Sequence, residues 1–220
     1  MPERQELLLI RHGQSTANAT GVWQGQMDFP LSDEGRLQAR CVGKALAGEH
    51  FDGLYSSPLA RAFETAEIIA RETHFPGDVV PVEGLMERHG GLLEGTTHAE
   101  REARNPELSQ KFLALPEEER WNLVGAETDE AVVERFERAI TYIRARHAAG
   151  ARIIVVTHGG ATRAYLRDRF GPDVLPGAVR APNASITRIQ WDDGGMPHLT
   201  ELASTEHLGA GSALGVSTVE

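Results

Sequence analysis

Two stretches of this chain end alike. Leu7-Leu8-Leu9-Ile10 runs straight into Arg11-His12-Gly13, and Arg152-Ile153-Ile154-Val155-Val156-Thr157 runs into His158-Gly159-Gly160. An imidazole can be a nucleophile or a general base, and it changes charge near neutral pH. An arginine beside it presents a planar fork of donors matched to phosphate or carboxylate. Ligands of open α/β sheets bind outside the carboxyl ends of strands. Two histidines at two such ends can therefore converge on one pocket, and their neighbouring glycines let the backbone approach a ligand. A third stretch, Tyr55-Ser56-Ser57-Pro58-Leu59-Ala60-Arg61, places Arg61 in the first turn of a helix, where anions are favoured. Alone, each residue reads blandly: a lone strand-end histidine is usually structural, and a lone arginine is usually a solvated charge. Together, Arg11, His12, Arg61 and His158 point to a tetrahedral oxyanion such as phosphate. There is no His-Glu-x-x-His, His-x-His or cysteine cluster, so no metal site is expected.

These residues need elements to hold them. Leu7–Ile10 reads as a strand buried on both faces, and Arg152–Thr157 as the strongest strand in the chain. Ser32, followed by Asp33 and Glu34, caps a helix whose apolar stripe includes Leu37, Val42, Ala45 and Leu46. Gly53–Ser56 reads as a second strand. Pro58 is placed in the first turn of the next helix, whose stripe is Leu59, Ala62, Phe63, Ala66, Ile69 and Ala70. Val79–Val82, with Pro81, reads as an edge strand. Residues 84–128 are rich in charge, glycine and proline, and are expected to be an inserted lid with one or two short helices at best. Thr128 is expected to cap a long helix that buries Val132, Val133, Phe136, Ile140 and Ile143. Another helix is expected over residues 160–169. Ser185–Trp191 and His198–Leu202 read as a hairpin. Alternating strands and helices predict an α/β fold: a three-layer sandwich in which helices flank a largely parallel central sheet. Residues 1–208 are expected to form a single domain, and residues 209–220 a small, polar, disordered tail.

Composition narrows the function. The chain has 220 residues, 22 Lys and Arg, 32 Asp and Glu, and a net charge of −10. An overall negative field argues against nucleic acid or an anionic membrane as partner, so any positive charge for an anionic substrate must be local. The single cysteine, Cys41, permits no internal disulfide. With no membrane-length apolar run and no signal-peptide pattern, the expected location is the cytoplasm.

The chain resembles the histidine phosphatase superfamily, which includes phosphoglycerate mutases and broad-specificity phosphatases. The resemblance is carried by Arg11-His12-Gly13-Gln14-Ser15-x-x-Asn18, Gln24-Gly25, Leu31-Ser32-x-x-Gly35, and Ser56-Ser57-Pro58-Leu59-x-Arg61-Ala62-x-Glu64-Thr65-Ala66. It continues through Glu87, Gly125-Ala126-Glu127-Thr128, Val156-Thr157-His158-Gly159-Gly160 and Asn183-Ala184-Ser185, covering residues 7–190. It implies that His12 attacks phosphorus to give a phosphohistidine and that His158, Arg11 and Arg61 stabilise the equatorial oxygens. Asn18, Gln24, Gly25 and Gly159 join the phosphate site. Glu87 acts as general acid and then as base, and no metal or other cofactor is needed. Arg88, His89 and His207 are candidates for the rim. The implied partner is a small phosphorylated metabolite, and the oligomeric state, a homodimer included, is left open. Within residues 101–124 the arginines are isolated (Arg101, Arg104, Arg120), and Pro116-Glu117-Glu118-Glu119 is acidic. Mutases use a pair of adjacent arginines in the lid to grip a second acidic group, so the phosphatase is favoured over the alternative, a cofactor-dependent phosphoglycerate mutase. An inactive binding or regulatory member would typically have lost the nucleophile or a phosphate arginine, and here both are present.

Overall fold

The computed structural model describes residues 4–176 and 180–209. Its strands are β1 (Gln5–Arg11), β2 (Gly53–Ser56), β3 (Val80–Pro81), β4 (Arg152–Thr157), β5 (Ile186–Trp191) and β6 (Pro197–Ser204). They form one sheet in the order β3-β2-β4-β1-β5-β6. The pairs β3–β2, β2–β4 and β4–β1 are parallel, while β5 pairs antiparallel with both β1 and β6. Only β5 therefore runs against the others, and the sheet is largely parallel as expected.

Its helices are α1 (Thr16–Thr20), α2 (Asp33–Ala45), α3 (Ala60–Glu72), α4 (His98–Arg104), α5 (Pro106–Ala114), α6 (Glu117–Leu123), α7 (Asp129–Arg144) and α8 (Gly159–Phe170). The alternation along β1 shows how the layers form. Leu7 and Leu9 join Val132, Phe136, Ile140 and Leu166 of α7 and α8 in one core. Leu8 and Ile10 join Val42, Ala62, Ala66 and Ile69 of α2 and α3 in the other. Both faces are covered, so the central strands are apolar throughout.

Ser32 and Thr128 cap α2 and α7 as expected. Two local expectations are corrected. Helix α3 begins at Ala60, so Pro58 precedes it. Its N-cap residue, Leu59, has no side-chain acceptor, and the Asp28 carboxylate accepts from Ala60 N at 2.7 Å instead. Between Gly13 and Gly25, Ser15 and Asn18 close a reciprocal cap on the short helix α1. Residues 84–128 hold three α-helices and a one-turn helix at Gly91–Leu93, against one or two expected. Thr97 with Glu100, and Asn105 before Pro106, cap two of those helices. No helix among the described residues is long and apolar enough to cross a membrane. The expected tail lies outside the described residues beyond Gly209.

Candidate active site

The C-terminal ends of four adjacent strands, β3, β2, β4 and β1, lead directly into the site. The end of β1 presents His12, which is 2% exposed. Its Nδ1 lies 2.6 Å from Gly13 O. A carbonyl can only accept, so Nδ1 carries the proton and Nε2 keeps its lone pair. The His12 backbone is pinned on both sides, its N–H donating to Thr157 O and its C=O accepting from Asn183 Nδ2. Gly13 must be glycine, since a Cβ there would lie 2.3 Å from Gly35 O. Burial, then the charges of Arg61 and Arg11, hold the His12 pKa well below 6.5. The imidazole is thus neutral at physiological pH, the form able to attack an electrophile.

Arg11 donates through Nη1 to Ala181 O, and Arg61 through Nη1 and Nη2 to Met27 O and Gly25 O. Both guanidiniums are buried, and the Nε of each has no hydrogen-bond partner. Burial above all pushes both pKa values down to about 10, and the neighbouring Arg180 adds to the effect at Arg11. Two buried cations are held by neutral carbonyls and feel Glu87, and for Arg61 also Asp28 and Glu94, only through space, so their donors can take an anion. His158, at the end of β4, is fully buried. Its ring centre lies 5.1 Å from that of His12, and its Nε2 lies 2.7 Å from Ser57 Oγ at the end of β2. Its pKa is also held well below 6.5, by burial first and then by Arg61.

Glu87 follows the one-turn helix Glu83–Leu85 that succeeds β3. Its carboxylate accepts from Gly160 N at 2.9 Å, Ala161 N at 2.8 Å and Arg88 N at 2.8 Å. Two of those amides open α8, so the carboxylate sits on a helix N-terminus. Gly160 permits this approach, because a Cβ there would meet Glu87 Oε1 at 2.5 Å. Burial alone would raise the Glu87 pKa. Arg180, these amides and Arg61 outweigh it and hold the pKa below 4.5, so the resting group is a carboxylate.

A cleft of about 470 Å³ opens above this floor. Of the residues singled out in the sequence, Arg11, His12, Asn18, Gln24, Gly25, Arg61, Glu87 and Arg88 line it. Asn18 Oδ1 accepts from Ser15 and Asn183, which leaves its amide N–H groups as the donors for a ligand. Four residues lie outside the lining. His158 is buried beside His12, and Gly159 packs against Arg11 one position before Gly160, the glycine that does line the cleft. His89 is half exposed near Glu94, and His207 bonds to Ala184 O. The upper walls come from Trp23, Leu92, Leu93, Phe112, Leu113, Trp121 and Val124, with Arg101, Arg120, Arg163 and Arg180 among them. None of these wall residues was singled out in the sequence as a site residue. Trp23, Phe112 and Trp121 were the available signal, as aromatic residues in stretches otherwise rich in polar and charged residues. Arg163 and Arg180 carry no motif. No group of three or more His, Cys, Asp or Glu that could hold a metal occurs among the described residues.

The sequence pattern of the histidine phosphatase superfamily (branch 1) matches residues 7–205. A metal-independent phosphoserine phosphatase of Arabidopsis thaliana is 39% identical over 173 residues, which cover 75% of this chain and 69% of that protein. Phosphoserine phosphatase 1 of Hydrogenobacter thermophilus is 30% identical over 189 residues, 86% of this chain and 87% of that one. Among solved structures, a mycobacterial glucosyl-3-phosphoglycerate phosphatase in complex with VO3 superimposes with a TM-score of 0.78 and 26% identity. The match covers 91% of this chain and 99% of that one.

Proposed function

Because the chain belongs to the histidine phosphatase superfamily, we propose that its phosphatase activity on small phosphorylated metabolites runs through a phosphohistidine on His12. The observation that carries this reading is the neutral His12, its Nδ1 proton tied to Gly13 O, beside two buried arginines that have no carboxylate ion pair among the described residues. In the first step Nε2 attacks phosphorus and the bond from phosphorus to the leaving oxygen breaks. Arg11 and Arg61 meet the charge on the equatorial oxygens, with His158 buried beside the nucleophile. In the second step water displaces His12 and inorganic phosphate leaves.

Glu87 handles the proton of both steps. At rest it is ionised, the form that can accept a proton from water in the second step. For the first step a proton must arrive with the substrate, whose monoanion predominates below a second pKa of about 6. Turnover of substrates with poor leaving groups therefore falls as pH rises above about 6, more steeply than turnover of aryl phosphates. Residues 84–128 act as the lid over this chemistry within one domain. The lid arginines in the cleft, Arg88, Arg101 and Arg120, form no adjacent pair, and each already donates to a backbone carbonyl, of Glu127, Thr96 and Leu115 respectively. This favours hydrolysis over retention of a doubly phosphorylated intermediate. The single cysteine suits a reducing compartment, the cytoplasm.

The test is ³¹P NMR of the protein in excess chelator with phosphoserine, 3-phosphoglycerate and catalytic 2,3-bisphosphoglycerate. Inorganic phosphate should grow. Growth of 2-phosphoglycerate in its place would contradict the reading.

A further inference from the structure

The catalytic carboxylate hangs from a segment that belongs to no strand and no α-helix, so its aim depends on what holds the backbone. All four carbonyls from Gly84 to Glu87 accept side-chain donors. Leu85 O accepts from Thr157 Oγ1 at 2.8 Å. Gly84 O and Met86 O accept from Arg135 Nη1 at 2.9 and 2.7 Å. Glu87 O accepts from Arg135 Nη2 and from Gln26 Nε2, each at 3.0 Å. One guanidinium on α7 thus meets three of the four. Its remaining two bonds go to Glu127, from Nε to Oε1 at 2.6 Å and from Nη2 to Oε2 at 2.8 Å. Five donors make five bonds, a set that lysine, with three donors and no planar fork, cannot reproduce. Glu127 in turn accepts from His89 N, and its carbonyl accepts from Arg88 Nη1. The same clamp therefore grips both flanks of Glu87 and the last residue before the Thr128 cap of α7.

We infer that Arg135 is a positioning residue for Glu87, and that Glu127 completes the clamp and links the aim of the carboxylate to the end of the lid. This rests on the reading of Glu87 as the group that protonates the leaving oxygen. Arg135 does not line the cleft. Its charge also reaches His158, so the substitution that tests it is Arg135→Lys, which keeps the charge; the effect then passes through the backbone of residues 84–87 and should follow the demand for leaving-group protonation. A merely structural role would lower every substrate alike.

The experiment measures kcat/KM over phosphomonoesters running from 4-nitrophenyl phosphate to simple alkyl phosphates. The proteins are the unmodified enzyme, Glu87→Gln, Arg135→Lys, Glu127→Gln and the double variant Glu87→Gln/Arg135→Lys. Arg135→Lys should lose on the order of 10²-fold on alkyl phosphates and only about threefold on 4-nitrophenyl phosphate. Glu127→Gln should move in the same direction by less, and it carries the same test should Arg135→Lys fail to fold. The double variant should be no slower on alkyl phosphates than Glu87→Gln alone, because both changes remove one function. Equal losses across all leaving groups, or additive losses in the double variant, would overturn the inference while leaving Glu87 as the acid. A Glu87→Gln variant with unchanged leaving-group dependence would instead overturn the acid role, and the inference with it.

Discussion

The floor and the roof of the cleft are built by opposite means. The floor hangs from the ends of adjacent parallel strands, and its reactive groups are buried: backbone carbonyls fix His12, Arg11 and Arg61, and the Ser57 hydroxyl fixes His158. The roof, the part of residues 84–128 that follows Glu87 and Arg88, contains α4 and α5, neither of which buries a residue, and its packing rests on the small cluster of Leu93, Trp121, Val124 and Ala126. Preorganised dipoles in a buried floor stabilise charge as it develops without having to move. A roof with so small a core can open at low cost. The contrast assigns the chemistry to rigid elements and the fit to substrate to soft ones.

Substitutions should separate the two regions, and the largest effect belongs to the nucleophile. His12→Ala should lower kcat by about 10⁴-fold or more with the thermal midpoint changed little, in phosphate-release and melting assays. Comparable activity in that variant would detach the chemistry from the floor. Arg61→Met, which keeps the stem but removes the charge, should cost on the order of 10²–10³-fold in kcat/KM. It should cost little in stability, since removing a desolvated buried cation offsets the hydrogen bonds lost at Met27 O and Gly25 O. Trp121→Ala should act the other way. It removes contacts with Phe112, Trp23 and Arg88, so the roof should become sensitive to protease under native conditions and KM should rise several-fold with kcat nearly kept. A fall in kcat with unchanged KM would mean that the roof takes part in the chemistry.

The smallest effect is the pH dependence of stability. His12 and His158 are held below 6.5 in the folded protein, so the unfolded chain binds protons more readily as pH falls. Their contribution is complete above about pH 6.5 and is lost progressively below it. The urea midpoint should fall between pH 7 and pH 5.5, and by less in His12→Ala. Trp121→Ala should leave that slope as it is, because the roof cluster holds no imidazole. A midpoint that rises on acidification would contradict the neutral state of both rings.

The same division explains what could be read from the chain. Arg11, His12 and His158 were legible because unbroken apolar runs end on them, and such runs mark strands buried on both faces. Arg61 was legible from its place just after a strand. Helices α4 and α5 carried their signals in Thr97-x-x-Glu100 and Asn105-Pro106, but α4 and α5 bury no side chain, so no apolar period accompanied those caps. Asp28 capping Ala60 was beyond reach, since the acceptor lies 32 residues away. The charge state of Glu87 was hidden for the same reason: of the groups that keep it ionised, Arg180, the Gly160 amide and Arg61 lie far from it in the chain, and only its neighbour Arg88 N is local. Arg135 looks like any polar residue on an amphipathic helix, and its role exists only once residues 84–87 fold against it.

The most direct test of the central claim is rapid acid-free quenching of the enzyme during turnover of ³²P-labelled phosphoserine, followed by peptide mapping. The account predicts a phosphate that is labile to acid and stable to base on the peptide carrying His12, appearing and decaying fast enough to lie on the pathway. An acid-stable phosphate on another residue, or sustained turnover with no label on His12, would contradict it.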